Sequence, residues 1–127
     1  MNVSEQLIEA CARSAHEVNR EYCLTLCDAS QPRWDDAPDW QKNSARMGVA
    51  ATLAGAAPEV SHENWMRFKE SDGWKYGPVK NVEKREHPCM VPYKDLPPGQ
   101  KFKDTLFQQS VLAEAYRFMK RVVETGK

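Results

Sequence analysis

Apolar residues recur along the first quarter of the chain at the spacing of one helix face. Leu7, Ile8, Cys11, Ala15, Val18, Tyr22 and Leu26 form the stripe, which predicts a helix from a Ser4 cap to about Leu26 with this side in the core. Asp28–Pro38 breaks the pattern with turn formers, among them Pro32 and Pro38. A second helix is expected from Asp36 or Ala37, with Pro38 in its first turn where a missing donor costs little. It should run to about Leu53, with Trp40, Met47, Val49 and Ala51 available for packing and Gly48 admitting the close approach of another backbone. Ala54–Glu59 ends it. Ser61 is read as the cap of a third helix carrying His62, Trp65, Phe68 and Lys69, and Gly73 as the left-handed residue that stops it.

Beyond that glycine the period changes. Trp74, Lys75 and Tyr76 alternate like a short strand, and Gly77-Pro78 turns the chain. Val79–Val82 and Cys89–Val91 are extended pieces too short for more than a small hairpin. The charged stretch Asn81–His87 between them is expected to be exposed, and mobile unless bound. Asp95, Pro97 and Pro98 introduce a last helix from about Gly99 to Thr125, stopped by Gly126. Leu106, Phe107, Val111, Ala113, Ala115, Phe118, Met119, Val122 and Val123 give it a broad apolar face opposite Lys, Gln, Glu and Arg. The fold class is therefore mainly α with a minor α+β character: about four helices, with a small β-hairpin element between the third and fourth. Residues 1–127 read as one domain, with an N-terminal helical part at 1–59 and a core at 60–123.

Composition narrows the function classes. Eighteen basic and eighteen acidic side chains cancel, so no strong field draws the chain to a nucleic acid polymer or an acidic membrane. A mean hydropathy of −0.72 and the lack of a long apolar run argue against a membrane span. Met1–Arg13 carries early acids and no apolar centre, so no signal peptide is expected and the default location is the cytosol. Cys11, Cys23, Cys27 and Cys89 fit no disulfide framework and are expected to stay reduced. No paired cysteine or histidine spacing suggests a metal, and no cofactor is implied.

Candidate chemistry sits on two helices. His16, Asn19, Arg20 and Cys23 form a second, polar stripe on the first helix, with Glu17 beside it; they are either a solvated face or one wall of a cleft. His16 and Cys23 lie two turns apart, about 10 Å by rise, too far for direct proton transfer. Trp34, inside its turn-rich loop, must either pack on the domain or lie over a ligand. His62 and Trp65 are three residues apart and share a helix face, and a tryptophan face stacks on a nucleobase for about 1–3 kcal/mol. Arg20, Lys75 or Lys80 are placed to meet phosphate, and Asn19, Glu17 or Asp36 to bond sugar or base edges. Trp74 and Tyr76 read better as core aromatics joining helix to hairpin, and prolines on both sides of Cys89-Met90-Val91 make it a structural strand. Ala15-His16-Glu17 echoes Ser61-His62-Glu63, which raises the chance that the two helices face one cleft.

Three ordered motifs carry a family resemblance. Ser61-His62-Glu63-Asn64-Trp65, Asp72-Gly73-Trp74-Lys75-Tyr76-Gly77-Pro78-Val79 and Glu86-His87-Pro88-Cys89-Met90-Val91-Pro92-Tyr93 resemble the RyR domain. That module is named after the ryanodine receptors, where it occurs as tandem repeats, and it also occurs as small free-standing proteins of bacteria and phages. The likeness to the repeat covers about Val60–Val123. The upstream His16-Glu17-x-Asn19-Arg20 and Trp34–Trp40 are similar to the free-standing form. The resemblance implies a mainly helical fold and, from the channel repeats, a cleft for adenine nucleotides in which Trp65 stacks on the base. The channels build that cleft from two repeats, so here either the upstream helix replaces one or two chains associate as a homodimer. The function this supports is non-enzymatic binding of a nucleotide-like small molecule. The alternatives are a protein-interaction or assembly module with buried aromatics, and a small nucleotide hydrolase acting through Glu17 or His16.

Overall fold

The computed structural model describes residues 2–125; Gly126, read above as a helix stop, lies outside them. Four helices account for most of the chain: α1 (Val3–Thr25), α2 (Asp39–Leu53), α3 (Pro58–Ser71) and α4 (Pro98–Thr125). Two short strands, β1 (Lys75–Tyr76) and β2 (Glu86–His87), lie between α3 and α4 as expected, so the fold is mainly α with a minor β element. No helix among the described residues is long and apolar enough to cross a membrane.

Several boundaries differ from the sequence reading, for local reasons. Asn2, not Ser4, caps α1: its Oδ1 accepts the Glu5 N–H at 2.8 Å while Glu5 reaches back to its amide at 3.1 Å. Pro38 is the cap of α2, not a residue of its first turn, because a 3-10 turn over Trp34–Asp36 precedes it. α3 begins at Pro58, whose fixed φ suits the first helical position, and Ser61 therefore sits inside the helix. At its other end Gly73 has φ +87, and the Trp74 N–H reaches the Lys69 carbonyl at 2.9 Å, closing the helix as predicted.

The strands are not the hairpin of Val79–Val82 with Cys89–Val91. β1 and β2 pair in parallel, Lys75 with Glu86 and Tyr76 with His87, and the antiparallel reversal is a tight turn from Asn81 to Glu86. Gly77 permits this path: a Cβ there would stand 2.5 Å from the Glu86 Cβ. The Asn81–His87 stretch is accordingly tied down, with the Lys75 N–H on the Arg85 carbonyl at 2.9 Å and an Arg85–Asp72 ion pair at 3.6 Å.

The core is Cys11, Ala12, Ala15, Trp34, Val49 and Val111, with Leu7, Ile8, Ala45, Phe107 and Ala115 packed around it. α1 lies mainly on α4 and α2, while α3 packs on α2, α4 and the turn before α4. Gly48 faces the Phe107 ring, 3.0 Å from where a Cβ would be, so a side chain and not a backbone takes the close approach. The apolar stripes run past the ends of this core. Leu26 is exposed beyond α1, as are Trp40, Met47, Ala113, Met119 and Val123, so these positions lie outside the core.

Candidate functional site

Each His–Glu pair sits on a helix whose histidine holds down the turn that follows. His16 Nε2 is 2.6 Å from the Pro32 carbonyl, and its ring meets Trp34 edge-on at 5.6 Å between centroids. His62 Nε2 is 2.7 Å from the Val91 carbonyl, and its ring meets Tyr93 edge-on at 6.1 Å. A carbonyl only accepts, so both rings carry their proton on Nε2. Two residues past each carbonyl a 3-10 turn begins, Trp34–Asp36 and Tyr93–Asp95. A buried Ala37 or Leu96 and a proline follow, then a helix whose Lys42 or Lys101 ammonium lies 5.7 or 5.5 Å from the turn's aromatic ring. The chain is thus two versions of one helix–turn–helix unit, and the β ribbon is an insertion in the second.

The first unit is closed. Trp34 is only 2% exposed, with the Lys42 and Arg46 cations both 5.7 Å from its ring, so it has no open face for a ligand and belongs to the core. The Glu17 carboxylate accepts the Trp34 backbone N–H at 3.1 Å and pairs with Arg20 at 3.8 Å. His16 and Glu17 therefore spend their polar ends on the turn. Asn19 has a long contact to Cys23 Sγ at 4.0 Å, and Asp36 lies exposed in the 3-10 turn. The α1 stripe holds its own turn through His16 and Glu17, and among the described residues no hydrogen bond, ion pair or ring contact joins it to His62 or Trp65.

The second unit holds a row of rings. From Tyr93 the row passes to His62, which stacks on Trp65 at 5.6 Å and 24° between planes. Trp65 meets His87 edge-on at 5.2 Å, and His87 meets Trp74 at 6.3 Å. The Lys69 ammonium then lies 4.8 Å from the centroids of both Trp74 and Trp40. Trp65 and Trp74 are half-buried, and Tyr76 is exposed, so it is not the core aromatic the sequence suggested.

Burial sets the electrostatics of this row. His87 Nδ1 accepts the Cys89 N–H at 3.0 Å, and burial, aided by Lys80, Lys69 and His62, depresses its pKa to about 4, so the ring is neutral near pH 7. Burial lowers the Lys69 pKa, and the Lys80 charge lowers it further. Asp104 on α4 is raised by burial, and its Oδ2 is buried without a hydrogen-bond partner. The Cys89 thiol and the Tyr93 phenol are likewise pushed up, first by burial and then by Asp104. Lys75 and Lys80 are exposed on the ribbon side.

Sequence reasoning picked out His62, Trp65, Lys75 and Lys80 but missed Trp40 and Lys69. The available signal was helical: Lys69 is one turn beyond Trp65 on the same face. Trp40 had none, since its partner comes from another helix. All four cysteines are free, and among the described residues no group of three or more His, Cys, Asp or Glu is arranged to hold a metal ion. Two shallow, mainly apolar grooves of about 520 and 460 Å³ lie elsewhere, one along the exposed end of α4 and one between α1 and α2.

Fold and site together define a mainly helical domain of two helix–turn–helix units, with a ribbon and an aromatic row in the second. The RyR domain family profile matches residues 48–120, from within α2 almost to the end of α4. The chain belongs to the RyR domain family.

Proposed function

We propose that this protein binds a nucleotide-like small molecule, such as an adenine nucleotide, an ADP-ribose derivative or a cyclic nucleotide signal, and senses or sequesters it without turning it over. The observation that carries this reading is the aromatic row centred on Trp65, with Lys69 at its end and the charge of Lys80 felt at His87. Stacking is worth about 1–3 kcal/mol per base and tolerates any base, while lysines on the ribbon side supply charge for phosphate. The resemblance to the channel repeats implies base stacking by the tryptophan of His-x-x-Trp, which in this chain is Trp65. His16, Glu17 and Trp34 act in this reading as the support of the first unit. Asn19, Arg20 and Asp36 complete the site in this reading, either from the same chain or from a second copy. A cytosolic protein of a bacterium or its phage would meet such ligands as signals.

The test is a thermal-shift screen with adenine nucleotides, ADP-ribose derivatives and cyclic oligonucleotides. A ligand at about 100 times its Kd stabilises the folded state by about 2.7 kcal/mol, an easily read rise in Tm. Trp65→Ala should remove the shift and leave the far-ultraviolet spectrum unchanged. No shift with any ligand at millimolar concentration defeats the reading. A second reading, an assembly module, is favoured by one observation: Leu112, Tyr116, Met119 and Val123 are exposed along one edge of α4. A monomer by light scattering at high concentration would count against it.

A further inference from the structure

Lys69 is an unusual lysine. It sits in the last turn of α3 with 8% of its surface exposed, yet among the described residues its ammonium has no ion pair and no hydrogen bond to a carbonyl. Its two neighbours are tryptophan faces from different elements, Trp40 at the start of α2 and Trp74 beyond the end of α3, each 4.8 Å from Nζ. Those faces stabilise a cation through the ring quadrupole but accept no conventional hydrogen bond from it. The three N–H donors are therefore left for something else. The carboxylate that acts on Lys69, Asp72, is paired with Arg85 at 3.6 Å.

The charge of a second cation is felt at the first. Lys80 is exposed on the turn after β1, and its charge opposes that of Lys69. Two like charges brought together beside half-buried rings are mutually unfavourable, and burial removes part of the water that would solvate the inner one. His87, the other basic group at this point, is neutral near pH 7 and so adds no third charge while its ring stays in the row. An oxyanion held by Lys69 relieves both conditions: it accepts the unused donors and offsets the Lys80 charge felt there. Trp40, 55% exposed and covered on one side by Lys69, leaves its remaining surface to a planar group attached to that anion.

We propose that Lys69, clasped between Trp40 and Trp74 and assisted by Lys80, is a phosphoryl-binding site at one end of the aromatic row. It takes the phosphate or pyrophosphate of a ligand whose ring system lies along the row. As a statement about nucleotides this rests on the function proposed above; as a statement about phosphoryl groups it stands alone. It also replaces Arg20, which is engaged with Glu17, as the main phosphate contact.

The experiment has two arms. In the first, pyrophosphate alone is titrated into the protein while tryptophan fluorescence is followed, because Trp40 and Trp74 flank the ammonium. The native chain should give a saturable change that weakens at least about tenfold in Lys69→Gln and less in Lys80→Gln, in line with a charge-assisted hydrogen bond. Lys69→Arg should keep most of it. In the second arm, calorimetry compares adenosine with adenosine monophosphate. The phosphate should improve affinity at least about tenfold in the native chain, and that ratio should fall towards one in Lys69→Gln while adenosine binding stays within about twofold. No pyrophosphate response in the native chain, or an equal one in a folded Lys69→Gln, overturns the proposal. Pyrophosphate binding lost in Lys69→Gln, with neither nucleoside bound, supports the phosphoryl site and defeats the nucleotide reading instead.

Discussion

Trp34→Ala separates a core tryptophan from a ligand platform. The side chain is 2% exposed and packs with Cys11, Ala15 and Val49 under α1 and α2. A tryptophan buries roughly 150–250 Å², which at about 25 cal/mol per Å² corresponds to about 4–6 kcal/mol of transfer free energy. Measured aromatic-to-alanine costs in cores run about 3–5 kcal/mol, because the site partly collapses. Removal also takes the ring from beneath Lys42 and Arg46 and from the edge of His16, while the backbone N–H that Glu17 holds stays in place. The expected loss is about 4 kcal/mol, a large part of the ~5–15 kcal/mol that a domain possesses. Urea unfolding followed by circular dichroism should show a much lower midpoint at unchanged slope, and a Tm fall of roughly 10–20 °C. Trp34→Phe should lose less than half as much. The reasoning fails if the alanine variant loses under ~1.5 kcal/mol, or if it keeps its stability and loses only ligand.

Three further perturbations test the second unit. His87 is held neutral, with a folded pKa of about 4 against an ordinary 6.5. Its contribution to stability is full above pH 6.5 and is lost as pH falls through that window, so Tm should drop towards pH 4 and the drop should be smaller in His87→Asn, which keeps an acceptor for the Cys89 N–H. Gly77→Ala places a Cβ 2.5 Å from the Glu86 Cβ; it should cost about 1–3 kcal/mol in urea unfolding and speed hydrogen exchange at the Lys75 amide, and an unchanged exchange rate there would refute the close approach. Asp104 has a raised folded pKa, so its contribution is full below its unfolded value and is lost as pH rises through the folded one. Asp104→Ala should therefore gain more in Tm relative to the native chain at pH 7 than at pH 3.5, and an equal difference at both would show that burial does not penalise the carboxylate.

Helix number, helix order and the position of the β element were legible in the sequence because they follow from local signals: the period of Leu7, Ile8, Cys11 and Ala15, the glycine after α3, the prolines before α4. Boundaries moved where two local signals competed, as when Pro58 outranked Ser61. The pairing of β1 with β2 was out of reach, since a parallel match of two-residue strands depends on where Gly77 lets Glu86 lie.

The candidate site divides in the same way. His62 and Trp65 were readable because three residues on a helix make one face, and the His–Glu echo was readable as two similar words. What each histidine grips, the Pro32 and Val91 carbonyls, depends on segments 16 and 29 residues away and emerges only when the chain folds back. By itself the sequence determined the helices, the family motifs and the absence of a strong net charge. Tertiary structure alone decided that Trp34 is core, that the two His–Glu helices serve separate turns, and that Lys69 lies between tryptophans from two different elements. Periodicity is a property of neighbours along one helix, whereas burial and unpaired charge are properties of whatever the rest of the chain places beside it.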